Sequence, residues 1–198
     1  MGKAQRRGEE VAIATTLDRL GVPILTTLED GATAEGGDLL WLDHDTLAVG
    51  RGYRTNAEGL RQLTAALRPL GAKTVEVQLP HAGGPEACLH LMSMISMIDH
   101  DLAVVFMPLL PVPFVELLHD RGVELIEVPE EEVPTMGPNV LALEPRKCLA
   151  IEGNPVTRRR LEAAGCEVLT YRGDELSLKA EGGATCLTRP ILRSTSDS

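Results

Sequence analysis

A carboxylate, an imidazole, an amide and a thiol fall at matching points along the chain. They are Glu35 in "AEGGD", His90 in "CLHLMS", Asn139 in "GPNVL" and Cys186 in "GGATCLT". A cysteine attacks as its thiolate, and a neighbouring imidazole is the usual means of forming one. The two need not be close in sequence, and here they stand 96 residues apart. A carboxylate such as Glu35 binds a cationic group or holds the imidazole charged. Thiol, imidazole and acid together suit attack on a planar electrophilic carbon. A guanidinium carbon fits the acidic partner, because guanidinium N–H groups pair with carboxylates in a two-point fashion. An ester or peptide would call for an oxyanion hole, for which no segment carries a specific signal. Each residue also has a plainer explanation. A cysteine is often a small buried hydrophobe, a histidine in an apolar run packs in the core, Glu35 could cap a turn, and Asn139 could satisfy backbone groups in its loop.

The elements that must position these residues repeat. "EEVAIATTLDRLGVPIL", "EGLRQLTAALRPLGAKTVEV", "VPFVELLHDRGVELIEV" and "VTRRRLEAAGCEVLTY" each read as an amphipathic helix, a glycine and a short β-branched strand. The glycines are Gly21, Gly71, Gly122 and Gly165, spaced 43–51 residues apart. Glycine after the last helical turn accepts the left-handed conformation of a helix end at little cost. After each unit comes a loop and an apolar pair of strands: "DLLWLDHDTLAVG", "HLMSMISMIDHDLAVVF", "NVLALEPRKCLAIEG" and "CLTRPILR". This period and content predict a closed repeat architecture rather than a doubly wound sheet. Such a ring puts its loop-to-strand junctions near the axis, and the four residues above sit at those junctions.

Composition sets the outer limits. A chain of 198 residues supports one domain with a real core. Aromatics make up 3% of the residues, so Leu, Val, Ala and Ile must build that core. The formal charge of −10 argues against a nucleic-acid partner and suits a cationic small substrate. The cysteines at 88, 148, 166 and 186 contain no CxxC pair, which argues against a structural zinc site; no metal site and no cofactor is expected. Cys88, Cys148 and Cys166 read as buried spacers. Met1 to Glu10 is charged and lacks the apolar stretch of a signal peptide, and the apolar run Leu102 to Val115 is broken by three prolines. A cytoplasmic protein with no membrane partner is expected, in a single domain over residues 1–193 with a disordered polar tail at 194–198.

The motifs "EGGDLLWLDHDTLAVGRGYRTNAEG", "HL" and "GGATC-T", in that order, resemble the guanidino-group-modifying superfamily of arginine deiminases, dimethylarginine dimethylaminohydrolases and amidinotransferases. The resemblance covers roughly Arg7 to Arg193. It implies an α/β fold, a five-bladed α/β propeller of the pentein type built of ββαβ repeats. It implies that Cys186 is the nucleophile attacking the guanidinium carbon to form an S-linked amidino intermediate. By the same resemblance His90 is the general acid/base, Glu35 binds the guanidinium and Arg54 holds a substrate carboxylate. Asp38 reads as the structural acid of the "GGD" turn and as a secondary substrate-binding candidate. Glu132, in the charged loop "EVPEEEV", corresponds to a region from which an acid sometimes reaches the site. Gly182 and Gly183 are expected to let the backbone approach the substrate.

Two departures from the family pattern bear on the activity. Arginine deiminases tend to carry "HLD", where the aspartate grips the guanidinium; this chain has "HLM", and since the dimethylarginine hydrolases also lack an acid there, Met92 leans it toward them or a related branch. Only four of five repeats are countable, and roughly 45–60 residues of a first unit are expected upstream of the present start. The implied reaction is hydrolysis of arginine or a methylated arginine to citrulline and an amine or ammonia. An amidinotransferase, or a shortened relative that binds a guanidino ligand without turnover, remains as the alternative. An open ring exposes strand edges and invites self-association into a homo-oligomer.

Overall fold

A computed structural model of the chain describes residue 2, residues 4–87 and residues 89–191. Cys88 and the polar tail at 194–198 lie outside the described residues. The chain divides into two compact units. One runs up to Met94 and takes in Pro108–Gly122; the other comprises Ile95–Met107 and the chain from Val123 onward.

In the first unit, helix α1 (Glu9–Arg19) has no buried residue and ends near Gly21, whose φ of 70° is the left-handed helix-end conformation expected of it. The strand expected in "VPIL" does not form. Residues 22–29 run without β pairing, and Ile24 and Leu25 are exposed. A strand needs a partner edge for its N–H and C=O groups, and every sheet among the described residues is built from other segments. That sheet's counterpart in this unit orders β1 (Leu39–Trp41), β2 (Thr46–Arg51) and β3 (Lys73–Gln78) side by side. β1 and β2 pair antiparallel with Leu39 opposite Val49; β2 and β3 pair parallel with Thr46 opposite Lys73. The antiparallel step needs only a tight link, whereas the parallel step needs a crossover, supplied by helix α2 (Ala57–Leu67). Helix α3 (Val112–Asp120) buries Phe114 and Leu118, and Arg121 at its end donates to the carboxylate of Asp43 and, at 3.1 Å, to Thr46 Oγ1.

The second unit repeats the pattern twice. Strands β4 (Ile95–Asp99), β5 (Leu102–Val105) and β6 (Glu124–Glu127) form one sheet; β7 (Leu141–Glu144), β8 (Lys147–Ile151) and β9 (Glu167–Tyr171) form another. In each the first pair is antiparallel and the second parallel. All four residues of β5 are buried, as a continuous apolar run in a middle strand should be. Leu102, Val104, Val140, Cys148 and Leu161 of helix α4 (Pro155–Ala163) share one core cluster. Burying each large aliphatic side chain contributes about 1.5–3 kcal/mol. Gly71, Gly122 and Gly165 all have positive φ, at 80°, 73° and 83°.

Where a strand pair is expected in "CLTRPILR", Cys186 and Leu187 are helical and residues 188–191 form no strand, while 192–193 lie outside the described residues. After the single turn α5 (Ser177–Ala180), residues Ala184–Leu187 form α6, and no strand follows among the described residues. The N–H groups of Cys186 and Leu187 both bond Gly183 O, at 3.0 and 3.1 Å, and Thr188 Oγ1 bonds Ala184 O at 2.7 Å. Those local bonds close a helical turn, and Pro190 removes a donor that a ladder would require. The fold is thus mixed α/β with small sheets. None of the described helices is long and apolar enough to cross a membrane.

Candidate active site

Within the first unit, residues 31–35 are strapped to the start of α2. Asn56 Oδ1 accepts from Gly59 N–H at 2.8 Å, capping the helix, and from Thr33 N–H at 3.1 Å; Asn56 Nδ2 donates to Gly31 O at 2.9 Å. The strap lies so close to α2 that a Cβ on Gly59 would stand 2.0 Å from Thr33 O. Glu35 follows in extended conformation and precedes a 3-10 turn, Gly36–Asp38. Glu35 N–H donates to Thr55 Oγ1 at 3.1 Å, and Thr55 Oγ1 in turn donates to Asp38 Oδ2 at 2.7 Å.

Asp38 carries the connection to histidine. Its Oδ1 accepts from Leu91 N–H at 3.0 Å, at the start of the 3-10 turn Leu91–Ser93. His90 is the cap of that turn, its own N–H donating to Ser93 Oγ at 3.1 Å. With its backbone so held, His90 places Nε2 2.8 Å from Glu35 Oε2, with both side chains largely buried. Residue 37 has to be glycine, since a Cβ there would fall 2.6 Å from His90 Cγ. Every residue of "EGGD" after Gly36 therefore has a task that the structure identifies.

Electrostatics separates the two acids. Burial pushes the Asp38 carboxyl up, despite the hydroxyl of Thr55 and the N–H of Leu91. Burial also pushes Glu35 up, but its bonds to His90 and to Gly2 N–H, with the charge of Arg54, outweigh it and leave the carboxyl below its ordinary value. Glu35 Oε1 accepts from Gly2 N–H at 3.0 Å, and Arg6 Nη1 stands 4.0 Å from Oε2. The carboxylate thus gathers N–H groups from Gly2 and His90, with the Arg6 cation nearby. Arg54 is buried at 4% exposure; its Nη2 donates to Ala87 O at 3.3 Å, and its Nε has no partner among the described residues.

In the second unit Cys186 lies on α6 with an exposed side chain. Asn139 Nδ2 donates to its Sγ at 3.2 Å, while Asn139 Oδ1 accepts from Thr185 N–H at 3.0 Å. The sequence places Asn139 at a repeat junction, with a loop role or a substrate contact as its expected duty; the bond to the Cys186 thiol is a third one. Gly183 makes its close approach to Asn139, not to open space: a Cβ there would stand 2.4 Å from Asn139 Cγ. Cys148 and Cys166 are buried, as expected, and burial pushes both thiols up, Cys148 to about 12.

Glu132 has a structural task. It is buried, and its carboxylate accepts from Val156 N–H at 2.7 Å, Thr157 N–H at 2.9 Å and Thr157 Oγ1 at 2.6 Å. It caps α4, the duty that Asn154 at the cap position does not perform. Asp99, His100 and Asp101 bring three potential metal ligands together. That group already has a cation, for Arg146 donates to both oxygens of Asp101 at 2.9 Å and lies 3.4 Å from Asp99. Of the expected site residues, Glu35, Asp38, Arg54 and His90 belong to the first unit, and Glu132 and Cys186 to the second.

The chain is therefore an α/β protein carrying a buried carboxylate–imidazole pair and an amide-bonded thiol. A family model described as N,N dimethylarginine dimethylhydrolase, eukaryotic, matches residues 1–193. The chain belongs to that family. An N(G),N(G)-dimethylarginine dimethylaminohydrolase of Streptomyces coelicolor is 35% identical over 187 residues, covering 94% of this chain and 65% of the relative. An arginine deiminase of Mycobacterium marinum is 32% identical over 191 residues, covering 82% of this chain and 47% of the relative. A structure of the dimethylarginine dimethylaminohydrolase from Pseudomonas aeruginosa, a cysteine-to-serine mutant complexed with citrulline, is 28% identical with a TM-score of 0.75. It covers 93% of this chain and 66% of that one. The N-terminal domain of a cyanobacterial arginine dihydrolase, 22% identical with a TM-score of 0.80, covers 96% of this chain and 69% of its own and shares the fold. The chain spans less than two-thirds of the Streptomyces relative's length.

Proposed function

We propose that the protein is a cysteine-dependent hydrolase of a guanidino compound, arginine or a methylated arginine, releasing citrulline and an amine or ammonia. The observation that carries this reading is the buried hydrogen bond of 2.8 Å between Glu35 and His90. An ionised carboxylate that collects N–H donors, held against an imidazole, suits a planar cation that must also exchange protons. Cys186 thiolate attacks the guanidinium carbon and forms a C–S bond. The C–N bond to the departing amine then breaks, and His90 gives that nitrogen its proton. Water attacks the amidino carbon, His90 takes a proton from it, and the C–S bond breaks to return the thiolate. Glu35 binds the guanidinium throughout. Arg54 takes the substrate carboxylate, a reading supported by its buried Nε, which has no partner among the described residues and which an anion would satisfy.

Met92 in place of an acid favours a methylated arginine over arginine. Water rather than an amine as the final acceptor is supported by the hydrolase names of relatives at 28–35% identity. The three sheets are read as blades of the α/β propeller, within one domain reaching residue 193.

The test is citrulline formation from arginine and from methylated arginines, with Cys186→Ala as the control. Turnover by the wild type and none by the variant is expected. Absence of turnover together with failure of a haloacetamidine to label Cys186 overturns the assignment. Turnover restored by supplying an upstream segment from the reading frame would attribute a silent chain to its length.

A further inference from the structure

The amide of Asn139 grips both the thiol of Cys186 and the peptide beside it. Its orientation follows from chemistry. Thr185 N–H can only donate, so the atom 3.0 Å from it is Oδ1, which leaves Nδ2, a donor, facing Sγ at 3.2 Å. The reverse assignment would set two donors against each other. Asn139 is buried at 6% exposure, and its backbone is pinned on both flanks. Ser96 Oγ donates to Pro138 O at 2.7 Å and accepts from Val140 N–H at 3.2 Å, while Asn139 N–H bonds Met136 O at 2.9 Å. The space for the amide exists because residue 183 has no side chain. A clamp this complete is more than a buried polar residue needs to satisfy its own atoms, and its free donor points at sulfur.

We propose that Asn139 is a positioning residue for Cys186, whose amide N–H, fixed by Thr185 and by the Ser96 clamp, sets the direction of Sγ and stabilises the thiolate over the thiol. The proposal rests on the reading of Cys186 as nucleophile, but its test needs no turnover. A hydrogen bond donated to the charged form of an acid favours that form.

The experiment follows alkylation of Cys186 by iodoacetamide, in which the thiolate sulfur forms a C–S bond and iodide leaves. The peptide bearing Cys186 is quantified by mass spectrometry from neutral to alkaline pH. Asn139→Ala is expected to slow labelling at neutral pH by about tenfold, and by less at alkaline pH, since a hydrogen bond to a charged group is lost. Ser96→Ala, which loosens the clamp without adding charge, is expected to slow it less. A folded Asn139→Ala labelled at the wild-type rate overturns the proposal. Should Asn139→Ala fail to fold, Ser96→Ala labelled at the wild-type rate overturns it instead. Slowed labelling in a protein that makes no citrulline supports the positioning role and removes the proposed reaction; citrulline formation with unslowed labelling does the reverse.

Discussion

His90 and Gly37 share one space: the imidazole occupies the position where any side chain at residue 37 would begin, with Cγ 2.6 Å from that point. The ring cannot retreat freely, because its backbone is fixed by Ser93 and its neighbour Leu91 is bonded to Asp38. Gly37→Ala should therefore push the imidazole off Glu35 Oε2 while leaving the sheets intact. Displacement of about 1 Å in a catalytic group costs on the order of a hundredfold in rate. The expected outcome is a loss of citrulline formation of that size with an unchanged far-ultraviolet circular dichroism spectrum. Equal activity in the two proteins would mean that His90 does not act from this position.

Glu35 makes stability depend on pH in a calculable direction. Burial raises its carboxyl, but the His90 and Gly2 bonds more than offset this, so the folded value lies below the unfolded one. The unfolded chain then binds more protons in the acid range, and stability rises with pH. Glu35's contribution is full above its unfolded value and is lost as pH falls through the lower, folded value. Asp38 works in the opposite sense, its folded value being raised by burial, so its contribution fades as pH rises. Glu35→Gln isolates the first effect. The difference in urea midpoint between wild type and variant should grow from acid pH and level off above the ordinary carboxylate range. A constant difference would remove Glu35 from the account.

Glu132 is predicted to matter for folding and not for substrate. Its carboxylate satisfies two N–H groups at the start of α4 and the Thr157 hydroxyl in a buried setting. Removing a helix cap costs about 0.5–2 kcal/mol, and a buried donor left without a partner costs about 1–3 kcal/mol. Glu132→Ala should lower the urea midpoint accordingly, while the KM for a guanidino substrate stays the same. A raised KM at unchanged stability would restore the substrate-binding role expected from the sequence.

The thiols differ enough to be told apart chemically. Cys186 is exposed, whereas Cys148 and Cys166 are buried, with the Cys148 thiol pushed up to about 12. Alkylation under native conditions should mark Cys186 and spare Cys148 and Cys166 until denaturant is added. Labelling of Cys148 before unfolding would show that the core cluster around β8 opens readily.

Much of this was legible in the residues, for reasons that can be named. The glycines at 71, 122 and 165 announced helix ends because only a left-handed conformation turns the chain there cheaply, and all three adopt it. β2, β5 and β8 were readable as strands from short apolar runs. "VPIL" was misread because a strand is a property of a pair: its β-branched residues suit a ladder, but no partner strand stands beside it among the described residues. "CLTRPILR" was misread because the cost of an alternative was invisible, namely a helical turn closed on Gly183 O. For the site, residue types at the junctions drew attention to Glu35, His90, Asn139 and Cys186, but not to Thr55 or to which group the Asn139 amide would meet. Those depend on which donor faces which acceptor, and a one-dimensional pattern does not carry that information.

Gly59 tests how far the strap over α2 controls the carboxylate. Glycine inside a helix normally costs up to about 1 kcal/mol relative to alanine, so an exposed position would gain from the exchange. Here the added methyl would meet Thr33 O at 2.0 Å, a backbone atom that cannot rotate away. Thr33 is bonded to Asn56 through both its N–H and its C=O, so the strap can yield only by giving up those bonds. Overpacking of this kind costs about 1–3 kcal/mol, which exceeds the gain in helix propensity. Gly59→Ala is therefore expected to be destabilising by about 1–2 kcal/mol in urea unfolding. Because Glu35 lies two residues beyond Thr33, the same change should raise the KM for a guanidino substrate more than it lowers kcat. A stabilised Gly59→Ala protein with unaltered KM would show that residues 31–35 are not held against α2.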